Sequence, residues 1–125
     1  MLTNFHVSED RRTVSWQHES QKVDFTFQLP VYANHIEYLD EVIIHSDALE
    51  SGEHNLALYK ADGTLKVRPA MPKLKHKVHG VYAVWFVQGE RQQEIVLLSD
   101  EYKPYDTACS FDLETHRFSK FHPTY

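Results

Sequence analysis

Cysteine is nearly absent: Cys109 stands alone in 125 residues, so no intrachain disulfide can form. That scarcity fits a reducing compartment, and the expected location is the cytoplasm. Glycine and proline are few, at four and five. This excludes collagen-like and low-complexity chains, and four glycines cannot build a phosphate cradle. Long apolar runs are missing too. The longest nearly uninterrupted one, Val81 to Val87, has seven residues, against the roughly 20 that a membrane-spanning helix needs. No membrane partner is expected, and MLTNFHVSEDRR lacks the charged start and apolar run of a secretory signal. Basic excess is also lacking: 13 Lys and Arg face 18 Asp and Glu, for a net charge of -5. A general nucleic-acid binder needs a basic surface to displace counterions, so none is expected here.

What is present is enough for a packed core. Apolar residues make up 42% and aromatics 13%, and a chain of this length suits one domain over residues 1–125. The dominant period is two. Val14, Trp16 and His18 alternate with Thr13, Ser15 and Gln17, and Val23, Phe25 and Phe27 alternate with Asp24, Thr26 and Gln28. Such alternation marks strands with one wet face. Leu56 to Lys60, Ile95 to Leu98, Phe111 to Leu113 and Phe118 to Phe121 continue the pattern. Val81 to Val87 is apolar at nearly every position, which predicts a central strand covered on both faces, with Ile95 to Leu98 as its partner.

Turn residues fall between these runs. Ala61-Asp62-Gly63-Thr64 predicts a hairpin with a tight primed turn at Gly63, and Gln88 to Arg91, Asp112 to His116 and Ser8 to Arg11 predict three more. Helix signals are poor. Asp47 to His54 offers one helical turn at most, interrupted by Gly52, and Asn34 to Leu39 is a second short candidate. The expected fold is all-β: eight to ten strands, mostly antiparallel, in sequential hairpins with sandwich or blade-like packing.

The run from Val42 to Leu65 carries an apolar strand (Val42 to Ile44), an acidic connection (Glu50 to Glu53), Asn55 with an alternating strand to Tyr59, then Asp62-Gly63 and a return strand. Tyr82 to Val87, Ile95 to Leu98 and Asp112-Leu113-Glu114-Thr115 follow in the same style. These features are similar to a group of small bacterial all-β proteins whose sequences resemble β-propeller blades. The chain departs at Leu65 to Arg68, where such sequences often carry Trp, and at His116, where they carry Gly. The resemblance implies a compact antiparallel fold with no assigned reaction and, for some of that group, a toxin-neutralising (immunity) role. A full propeller needs at least four blades of roughly 40 residues, so one blade-like sheet packed on a second sheet is expected.

Patterns that carry chemistry are sparse. The nine histidines form no H-x-H and no H-E-x-x-H, and of the pair His76 and His79 the first is flanked by Lys75 and Lys77, so no metal or other cofactor is expected. No G-x-S-x-G elbow surrounds a serine. Adjacent acids such as Asp40-Glu41 and Asp100-Glu101 point to opposite faces of a strand and make no acid/base couple. Cys109, alternating with Phe111, is expected as a buried structural thiol. No catalytic residue is assigned.

Charge is segregated along the chain. Glu37, Asp40, Glu41, Asp47, Glu50 and Glu53 occupy a stretch without Lys or Arg, and Lys66, Arg68, Lys73, Lys75 and Lys77 occupy one without acids. If extended, Lys73, Lys75 and Lys77 share one strand edge, where lysines also block aggregation. The six acids are the candidate partner-binding residues of a non-enzymatic protein-interaction module, acting by electrostatic and steric occlusion of a partner such as a toxin. The rival expectation is a small-molecule-binding or enzymatic domain with a pocket between sheets, lined by Tyr82, Trp85 and Phe86. A third is a dimer joined through edge strands.

Overall fold

A computed structural model describes residues 1–125 and contains eleven strands and one short helix. The first sheet is a meander of β1 (Thr3–Val7), β2 (Thr13–His18) and β3 (Gln21–Thr26). The second runs in order through β4 (Tyr32–Ile36), β5 (Glu41–His45), β6 (Leu56–Lys60) and β7 (Leu65–Val67), with α1 (Ala48–Ser51) between β5 and β6. The third contains β8 (Val78–Trp85), β9 (Gln92–Ser99), β10 (Thr107–Asp112) and β11 (Phe118–Pro123), ordered β11-β10-β9-β8. Every pairing is antiparallel between sequence neighbours, as the period-two pattern requires.

The second sheet is the middle layer, and its residues show why. Val42 pairs Tyr59 and Ile44 pairs Ala57, while Ile43 pairs Leu58. Successive side chains leave a strand on opposite faces, so these pairs alternate between two cores. Val42, Ile44, Ala57 and Tyr59 pack with Leu2, Val14, Trp16 and Val31 of the first layer. Ile43, Leu56 and Leu58 pack with Val81, Ile95, Leu97, Cys109, Phe111 and Leu113 of the third. Each fully buried Leu, Ile or Val contributes about 1.5–3 kcal/mol of transfer free energy, and both interlayer spaces are closed by such groups. Trp16 crosses from the first layer and donates its indole N–H to the carbonyl of Ala61 at 2.7 Å.

The all-β expectation holds, with sequential hairpins in face-to-face packing. Its details need correction. There are three layers rather than two, and eleven strands rather than eight to ten. Asn34 to Leu39 is no helix: β4 ends at Ile36 and a turn follows. The single helical turn lies in the Asp47 window, with the Asp47 side chain accepting from Leu49 N. Residues 68–77 form no strand, so Lys73, Lys75 and Lys77 line no sheet edge. Pro69 and Pro72 remove donors that a ladder would need. The covering loop presses Met71 and Leu74 on the core instead.

The largest correction concerns Val81 to Val87. β8 does pair with β9 as expected, but it is an edge strand. Val81 faces Leu97 and Ala83 faces Val96, so Tyr82 is the extra residue of a β-bulge. The bulge shifts the alternation by one. Val81, Val84 and Phe86 turn inward, while Tyr82, Trp85 and Val87 remain 61%, 63% and 52% exposed.

Candidate functional site

The six acids expected to meet a partner do not form one patch. Glu41 is 8% exposed and pairs with Lys66. Asp40 accepts from Leu2 N and from His35 Nε2 at 3.0 Å, and the terminal ammonium lies 3.7 Å away. Burial pushes the Asp40 carboxyl up, but these bonds outweigh it and hold it below the ordinary carboxylate range. Asp47 caps α1. Glu50 accepts from Gln28 N and Leu29 N, tying the first layer to the second. Glu53 lies 3.6 Å from Lys77. Glu37 is exposed in the turn after β4, with no side-chain bond. The charge blocks that are separate in sequence therefore meet in the fold, through Glu41–Lys66 and Glu53–Lys77.

The other candidates are equally accounted for. Cys109 is 1% exposed, and burial, with some help from Glu94, pushes its thiol up to about 12, so it stays protonated. No three His, Cys, Asp or Glu side chains converge closely enough to hold a metal ion. Asp112 is occupied by structure. It accepts from Arg91 Nε at 2.9 Å and from the N–H groups of Glu114 and Thr115. These donors outweigh burial and hold its carboxyl far below the usual range.

A different surface emerges along β8. Three adjoining depressions of about 340, 410 and 390 Å³ share Tyr82 and form one trough. Its first part lies between Tyr82 and the Leu49 end of α1. Its middle runs between Tyr32 and His45 on one side and Ala83 to Trp85 on the other. Its last part crosses the outer face of the third sheet, over Val96, to Tyr125. The exposed apolar groups are large: Tyr32 at 56%, Leu49 at 90% and Tyr125 at 83%, besides Tyr82 and Trp85. Asp47, Glu94 and Asp106 line it, and Lys and Arg are absent from the lining. Arg11 sits over the ring of Tyr32 at 4.3 Å.

Two side chains fix this arrangement. Asn55, 1% exposed, donates from Nδ2 to the carbonyls of Ser46 and Val81, and its Oδ1 accepts from Val81 N at 2.8 Å. It thus holds the edge of β8 to the middle sheet as a neighbouring strand would. His45 reaches the same carbonyl through Nε2 at 2.8 Å. A carbonyl only accepts, so Nε2 carries the proton and Nδ1 is left as a buried acceptor with no donor. Burial lowers the His45 pKa, although the Val81 carbonyl and Asp47 pull the other way. The ring stacks on Tyr32 at 6.2 Å between centroids.

Of the three aromatics expected in a pocket between sheets, Tyr82 and Trp85 line this outer trough, while Phe86 packs on the core. Sequence reasoning missed Tyr32, His45, Glu94, Asp106 and Tyr125. The available signal was the apolar character of Tyr82 to Trp85, which is unusual for an edge. No protein-family model, curated protein or solved structure matches the chain.

Proposed function

We propose that the chain is a non-enzymatic protein-interaction module that works from its outer surface. The observation that carries this reading is the closure of both interlayer spaces by apolar side chains. That packing encloses no chamber; of the rival reading there remains the open depression between the margins of the second and third sheets, which Tyr82 and Trp85 line without Phe86. Polar groups of catalytic type are either scattered or bound into structural networks. In the narrower form implied by the sequence resemblance, the partner is a toxin inside a bacterial cytoplasm, and the module occludes it sterically and electrostatically. Glu37 and Glu53, the acids least committed to the fold, are the contacts that this form offers for steering.

The test is retention of a stoichiometric partner from the native cell by the immobilised full chain. Retention should weaken with salt, and Glu37→Lys with Glu53→Lys should slow association severalfold at low ionic strength. An unchanged association rate removes the acids from the role. If no protein is retained while a metabolite raises the melting temperature, the module reading itself is overturned.

A further inference from the structure

The trough is built as an unfilled strand position. β8 is eight residues long, about 26 Å at a strand's rise, and it has no strand neighbour on its outer side. Only at Val81 are the outward backbone groups taken, by Asn55 and His45. Exposed edges are normally guarded by charge. The edge strands β3, β7 and β11 carry Lys22, Lys66 and Lys120, whereas β1, β4 and β8 carry no Lys, Arg, Asp, Glu or Pro, and of these three β8 is the longest, with eight residues against five in each of the others. This edge instead presents Tyr82 and Trp85 to solvent opposite Tyr32.

We propose that the trough docks an extended, positively charged segment of a partner protein, which adds as a fifth strand at β8. The inference rests on the interaction-module reading and specifies its contact. Strand addition supplies main-chain hydrogen bonds, and alternate side chains then fall against Tyr32, Tyr82 and Trp85. Charge selects the occupant. Asp47 lines the part of the trough beside the β8 edge, and Glu94, directly across from Trp85, and Asp106 line the part over the outer face of the third sheet; no Lys or Arg lines either part, and Arg11 stands behind the Tyr32 wall. A second copy would bring the same three acids against themselves, whereas a cationic segment neutralises them. His45 gives an independent pointer. Its Nδ1 is buried and lacks a donor, on a ring that lines the trough, so an N–H group brought by an occupant would reach it only with a small shift of the ring or of Tyr32.

The experiment selects a display library of random peptides of about eight residues, the length of β8, against the full chain at low salt. Lys or Arg should alternate with Val, Ile or aromatic residues in the enriched sequences. Affinity for a synthetic version should fall about tenfold or more in Trp85→Ser and in the combined Asp47→Asn, Glu94→Gln, Asp106→Asn variant. It should also fall on raising salt from about 50 to 500 mM. N-methylation of alternate amides along one edge of the peptide should abolish binding, and along the other edge should leave it intact. Glu94 and Asp106 are exposed, Asn in place of the half-buried Asp47 keeps an acceptor for Leu49 N, and unchanged melting of the variants confirms folding. Peptides that bind equally well to both variants place the contact elsewhere: the docking inference falls and the module reading stands. A dimer in sedimentation that Trp85→Ser dissolves makes a second copy the occupant and overturns the inference. No enrichment, together with no partner retained from cells, sinks both.

Discussion

Asn55 shows what a single side chain contributes to this fold. Its amide uses both donors and its carbonyl oxygen, joining Ser46 to the edge of β8. Gly80 makes room for it: a Cβ there would lie 3.0 Å from Asn55 Oδ1. Replacing Asn55 by Ala leaves the buried Val81 N–H without a partner and costs about 2–4 kcal/mol overall. A lowered urea midpoint with faster exchange of the Val81 amide is the expected outcome, and unchanged Val81 protection contradicts the assignment. The sequence marks Asn55 only as the polar start of a strand. Nothing in its neighbours names Val81, which lies 26 positions away, as its partner. His116 is the opposite case. It stands where the resemblance expects Gly, and its backbone takes φ 61°, so His adopts the left-handed turn conformation in glycine's place.

At the level of elements, hairpins were legible because their signals are local. Asp62-Gly63 does close β6 on β7, but as a three-residue loop and not as a primed turn. Gly63 N bonds Lys60 O and Lys60 N bonds Thr64 O, with Gly63 at φ 88° while Ala61 and Asp62 keep negative φ. The loop also packs on another layer, where a Cβ at Gly63 would lie 2.7 Å from Val23 Cγ1. Gly63→Ala therefore combines left-handed strain with a clash, for about 2–3 kcal/mol. Val23→Ala removes the clash alone, so a double-mutant cycle should show favourable coupling of about 1 kcal/mol. Additive losses would place the whole effect in the turn. β8 was misjudged for a physical reason of the same kind. A run apolar at every position fits a two-sided strand, yet one inserted residue also produces it by shifting the alternation. The strands that are covered on both faces, Glu41–His45 and Leu56–Tyr59, have the same apolar texture over shorter spans.

For the whole molecule, stacking three sheets buries polar groups between and beside layers, and this sets the response to acid. His45 and His116 both titrate below the ordinary histidine value. Burial is the main cause in each, helped at His116 by Lys66 and opposed there by Glu41 and Asp112. Once the pH drops below about 6.5, the unfolded chain takes up protons that the native state refuses, so stability declines. Asp40 and Asp112 are also held low in the fold, so their contribution is present above the unfolded carboxylate range and is lost below about pH 4. Two steps are expected: a gentle fall in the urea midpoint from about pH 6.5, then a steeper one below about pH 4. His45→Phe should shrink the first step to the share of His116 and leave the second. A midpoint that rises as the pH drops from 7 to 5 would mean that the imidazoles gain partners on folding, against the burial seen at Val81 and between the second and third sheets. The same arrangement explains why charge patterning was a poor guide to the site. Opposite charges distant in sequence pair across layers, as Glu41 does with Lys66, and the surface left for a partner is defined by what the layers fail to cover.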